Sequence, residues 1–179
     1  MIIRNVLFAM FACLSLNVFA QAGELAMATD TVKPMGIRDV FRAMPDSVLP
    51  YLSTTNRLDF LDFMDSGMEA KVQNQFDGHS QMTALTSDSL SIRLSEQSRV
   101  DMVLLSVLGE PIDSCSQVIC LMRTYGQSSQ PQDIVIEYYS LHWRRLDSVP
   151  PLTPISQNRL RREKSLTVVN WYRNTLNKP

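Results

Sequence analysis

Three aspartates stand at intervals of three in "NRLDFLDFMDSG" (Asn56 to Gly67), at Asp59, Asp62 and Asp65. Closely spaced carboxylates suit a cation site or an acid–base pair, provided that they converge. On an α-helix a step of three residues turns about 300°, so the outer two of this series point roughly 120° apart. The three cannot all meet one ion. Projected at about 100° per residue, Asp59 and Asp62 fall opposite an apolar arc formed by Leu58, Phe60, Leu61, Phe63, Met64 and Met68, and read as a solvated face. Asp65 falls on the margin of that arc, between Leu61 and Leu58. A carboxylate buried there needs a cation or backbone N–H donors. Asp65 is therefore expected to be a structural buried acid, and its loss to cost more than that of Asp59 or Asp62.

The other groups capable of chemistry are few. His79, in "DGHS", is expected in an exposed hairpin turn, and His142, beside Trp143, on a strand with a hydrogen-bonded structural role. Either is a functional candidate, as a general base, only if the fold delivers a Ser, Asp or Glu to it. The chain has no G-x-S-x-G turn, phosphate loop or EF-hand spacing, so no catalytic, cofactor-binding or metal-binding set is assigned. Cys115 and Cys120 lie in "DSCSQVIC". Five residues of extended chain would hold their Cα atoms roughly 16 Å apart, so a disulfide between them requires a turn at Ser116-Gln117. The alternative makes Cys120 a small buried residue of a strand and Cys115 a loop thiol.

The elements that must position these residues are readable from periodicity. "GIRDVFRAMP" spaces Ile37, Val40, Phe41 and Met44 as a short amphipathic helix that Pro45 ends. Thr55 or Asn56 is expected to cap the aspartate-bearing helix, and Gly67 to close it at C′. Beyond Met68 the period becomes two. "AKVQNQF" and "SQMTALT" flank the turn dipeptide Asp77-Gly78 as a hairpin, and "SLSIRL" alternates with one wet face. "RVDMVLLSVLG", "QVICLMRTYG" and "DIVIEYYSLHWRR" are apolar at both alternate positions, which places them mid-sheet with cover on both sides. The expected fold is α+β, with N-terminal helices packed on a mainly antiparallel sheet of five to seven strands. The alternative is a β-sandwich or half-barrel with appended helices. The second layer of cover is expected from "LTVVNWYRNTL" near the C-terminus, where residues 165–176 fit helix or strand.

Residues 1–20, "MIIRNVLFAMFACLSLNVFA", have one charge, an apolar run and a terminal Ala20, the pattern of a signal peptide cleaved before Gln21. Residues 21–34 are expected to be a flexible lead and 35–179 a single domain. With no later apolar run of roughly 20 residues, no transmembrane segment is expected in the mature chain. Once Arg4 is lost, 18 acidic residues face 16 basic ones, which argues against nucleic acid as a partner. The basic run "RLRREK" at residues 159–164 lacks adjacent aromatics and reads as a connector or a partner contact.

"FRAMPDSVLPYLSTTNRLDFLDFMDSGM", "MTALTSDSLSIRL", "VICLMRTYG" and "IEYYSLHW" together resemble a family of exported domains of unknown function from Bacteroidales-type bacteria. The resemblance spans about Met35 to Trp143 and implies the periplasm or cell envelope of a Gram-negative bacterium. It brings no catalytic residues with it. The functional expectation is a non-enzymatic envelope module without a cofactor, binding a protein, a glycan or a small apolar ligand. The competing expectation is a hydrolase acting on envelope polymers.

Overall fold

A computed structural model describes residues 35–126 and 133–163, within a compact unit that begins at Pro34. Helix α1 (Ile37–Arg42) buries Ile37, Val40 and Phe41 and stops before Pro45, as its spacing requires. Helix α2 (Thr54–Asp65) is capped at Ser53, two or three positions earlier than the expected Thr55 or Asn56. The Ser53 hydroxyl accepts from the Asn56 N–H at 3.1 Å, while the Asn56 side chain accepts from the Ser53 N–H at 3.1 Å. These paired bonds satisfy donors that a helix start leaves open. At the other end Gly67 takes a φ of 66°. The Met68 N–H then reaches the Phe63 carbonyl at 2.9 Å, which completes a Schellman ending.

Among the described residues seven strands follow as one antiparallel meander: β1 (Lys71–Gln73), β2 (His79–Leu85), β3 (Ser89–Arg93), β4 (Ser98–Ser106), β5 (Gln117–Tyr125), β6 (Asp133–Ser140) and β7 (Arg145–Leu146). Neighbours in sequence are neighbours in the sheet throughout, so the fold is α+β and not a sandwich. The β1–β2 connection is wider than an Asp-Gly turn alone. Asn74 is buried at its base, accepting from the N–H groups of Phe76 (3.0 Å) and Gly78 (3.1 Å) and donating to Ser80 Oγ and to the Leu94 carbonyl of the next turn.

Both faces are covered where β4 and β5 run through the centre. On the first face, α1 and α2 meet Leu90, Ile92, Val100, Met102, Leu104, Ile119 and Leu121. On the second, Val103, Leu105, Val118, Cys120, Met122 and Tyr138 pack with Leu152 and Leu160. That cover comes from residues 149–163, which end in a helix over 154–163. The segment 165–176 lies outside the described residues.

The two thiols are unbridged. Cys115 packs at the edge of the first-face core and Cys120 belongs to the second, so the sheet stands between them. Of the two readings that the sequence leaves open, this geometry matches the second: Ser116 leads directly into β5, Cys120 is a buried strand residue, and no turn folds it back.

Candidate functional site

The aspartate series is dispersed. Asp59 is half-buried, and Asp62 and Asp65 are exposed. Asp65 does find an arginine, Arg38 of α1, at 2.7 and 2.9 Å, but its side chain is 59% exposed, which corrects the expectation of burial. The arc that α2 buries is narrower than its apolar composition implied. Phe60 and Leu61 are enclosed, whereas Leu58 and Met68 face water, and Asp65 shares their side. Among the described residues no group of three His, Cys, Asp or Glu side chains gathers as a metal site.

The place of a buried charge on α2 is taken by Arg57, which is only 2% exposed. Its Nη1 donates to Asp46 Oδ1 (2.7 Å) and the Leu52 carbonyl (3.0 Å), and its Nη2 to the Met44 carbonyl (2.7 Å) and Thr54 Oγ1 (3.0 Å). The guanidinium thus ties the loop between α1 and α2 to the start of α2, and holds the Asp46 carboxyl below its ordinary range. Sequence periodicity missed it because an arginine next to Leu58 reads as surface. The two prolines in "PDSVLPYL" were the available signal, since a loop folded against a core leaves carbonyls that need a donor.

The histidines do not meet. His79 opens β2 and is exposed; His142 is exposed in the β6–β7 turn and not on a strand, correcting its expected place. They stand at opposite ends of the strands and some four strand spacings apart, roughly 20 Å across the sheet alone. His142 does have company. Asp113, in the β4–β5 loop, is gripped by Arg144 at 2.7 and 3.0 Å. That guanidinium, the Ser140 hydroxyl and, more weakly, His142 lower the Asp113 carboxyl to about 2. The carboxylate is engaged by Arg144 and is not positioned to orient an imidazole. Ser140 is fully buried, so an exposed nucleophile and a base do not come together here. Trp143 adopts a φ of 63°, which is costly for a bulky residue. Its indole is buried against Tyr139 and donates to the Val40 carbonyl at 2.9 Å, fastening α1 to this turn.

The second face of the sheet changes character along its strands. Toward the β3–β4 turn, Lys71, Gln81, Arg93 and Arg99 stand in register across four strands, followed by a row that pairs Ser91 with Asp101. Asp101 is 3% exposed. It accepts the Ser91 hydroxyl and two Arg99 nitrogens, Nε at 3.0 Å and Nη2 at 2.8 Å. Arg93 in turn donates to Gln81, whose amide reaches Glu69 at 3.2 Å. Lys71, Gln73 and His79 are exposed at the same corner. The result is a surface of amides, hydroxyls and guanidinium groups, among which Ser91 and Arg99 are fixed by the buried Asp101 and Arg93 is linked through Gln81 to Glu69.

In fold, the chain is similar to a domain of an uncharacterized protein from Porphyromonas gingivalis W83, at 24% identity and a TM-score of 0.50, over 62% of this chain and 53% of that one. This chain thus spans about half the length of that structure. No curated protein matches the sequence. The family model for proteins of unknown function DUF3256 matches residues 30–177, and the chain belongs to that family.

Proposed function

We propose that this chain is an exported protein of a bacterial envelope, and that it works by binding a protein or glycan through the polar strip of its sheet. The observation that carries this reading is the row Lys71, Gln81, Arg93 and Arg99, backed by the buried Asp101. Burying a carboxylate is costly unless something repays it, and here it sets the guanidinium of Arg99 at a surface that carries no part of the described apolar core. The N-terminal pattern of residues 1–20 supports export, and it predicts a mature protein that starts at Gln21.

Immobilised protein challenged separately with envelope polysaccharide and envelope protein fractions tests the binding reading. One fraction should be retained, and the Gln81→Ala/Arg93→Ala double variant should hold it about tenfold more weakly, a loss of about 1.4 kcal/mol. Turnover of ester, peptide or glycoside substrates that His142→Ala abolishes would favour the hydrolase instead. Mass spectrometry of the protein recovered from the periplasm or medium checks the cleavage site.

A further inference from the structure

Three large apolar side chains are left in water around one end of the second-face cover. Ile155 is 82% exposed, Val149 65% and Leu108 58%. Backbone contacts bring them to one place: the Leu108 N–H donates to the Pro151 carbonyl at 2.7 Å, Thr153 donates to Ser106, and Val107 bridges Leu152. Beside them opens a groove of about 350 Å³ whose walls include Val149, Pro150, Pro151, Leu160 and Arg161.

The helix over 154–163 sorts its charges by direction. Arg159 turns inward, pairing with Asp88 at the β2–β3 turn and approaching Glu163 at 4.0 Å. Arg161 and Arg162 stay on the outward side. At 100° per residue, seven positions carry Arg162 to within about 20° of Ile155, so a cation and the most exposed apolar side chain share one stripe. Exposed apolar groups flanked by cations on a short surface helix suit a water–lipid boundary, where the aliphatic groups leave water and the guanidinium groups meet headgroup phosphates. Protein interfaces are enriched in aromatic side chains, and none of Leu108, Val149 and Ile155 is aromatic.

The geometry points to reversible docking on an anionic phospholipid surface through Leu108, Val149, Ile155 and Arg162. This surface lies apart from the polar strip, and it draws on the envelope reading only for where such a bilayer is met. Within the basic run Leu160 is buried, and the run shares its helix with the exposed Ile155. The fold adds Leu108, just beyond β4, and Val149, from the connection ahead of the helix.

The test is co-sedimentation of the processed chain, purified from exporting cells, with vesicles rich in phosphatidylglycerol and with vesicles of phosphatidylcholine alone. The expected result is retention on the anionic vesicles, weakened by salt, and weakened about tenfold both by Val149→Ser/Ile155→Ser and by Arg162→Glu. All three positions are exposed, so the circular dichroism of the variants should match the parent. Failure to bind anionic vesicles, or equal binding by parent and variants, overturns the inference. A dimer in solution that Ile155→Ser dissociates also overturns it, and gives the patch to a second copy of the chain. Because the polar strip is intact in every variant, retention of envelope fractions should be unchanged, which separates this inference from the proposed binding function.

Discussion

At the scale of the residue, Arg57 and Asp65 show that the same ion-pair chemistry differs in consequence with burial. Arg57 fills four hydrogen-bond acceptors from a nearly water-free position. Arg57→Ala should strand the Met44 and Leu52 carbonyls and open a cavity, costing about 2–4 kcal/mol in urea melts. Arg57→Lys should recover less than half of that, because an ammonium cannot reproduce the planar fork. Asp65 and Arg38 are 59% and 40% exposed at their side chains. Asp65→Ala is therefore expected to cost at most about 1 kcal/mol, close to Asp59→Ala and Asp62→Ala, in place of the larger effect that its position on the helix wheel suggested.

Among the elements, the β6–β7 turn and the two thiols carry the sharpest consequences. Trp143 joins α1 to the sheet by one indole hydrogen bond and by its buried ring. Trp143→Phe keeps most of the apolar contact but leaves the Val40 carbonyl without that donor, so a loss of about 1–2 kcal/mol is expected. Trp143→Ala should cost about 3–5 kcal/mol. Chemical denaturation of both variants separates the hydrogen bond from the packing. Cys115 and Cys120 lie against opposite faces of the sheet. Under non-reducing conditions a thiol reagent should modify Cys115 in the native protein and reach Cys120 only on unfolding. Mass spectrometry after labelling would show a bridged pair, if one formed, as two unmodified cysteines.

For the whole molecule, the carboxylates of Asp113, Asp46 and Asp88, each lowered by an arginine, contribute stability that acid removes. Arg144, Arg57 and Arg159 lower Asp113, Asp46 and Asp88 respectively, with Asp113 reaching about 2. A carboxyl lowered in the folded state stabilises it above the unfolded value near 3.8, and that contribution is lost as pH falls toward the folded value. Urea midpoints should therefore drop most steeply between about pH 4 and pH 2, and Arg144→Ala should make that drop shallower. At the alkaline side the sign reverses. Burial, aided by Cys120, pushes the Tyr138 phenol up to about 12, so its contribution is intact below pH 10 and declines as pH rises from 10 to 12. Among the described residues no helix is long and apolar enough to cross a membrane.

What the sequence by itself determined was local. The apolar spacing in α1, the left-handed Gly67 after α2, the alternation of Leu90 and Ile92 with Ser89 and Ser91, and the two-sided strands β4 and β5 all follow from periods of 3.6 and 2 that neighbouring residues carry. The antiparallel meander also follows, because short connections leave few other pairings. Tertiary structure alone decided where α2 meets the sheet, and so left Asp65 in water and enclosed Arg57. It decided that Cys115 and Cys120 face apart, that His142 lies in a turn, and that Asp101 is buried beneath Arg99 and Ser91. These outcomes depend on which surfaces come together over dozens of intervening residues, and a periodicity confined to one segment holds no record of the partner that segment will meet.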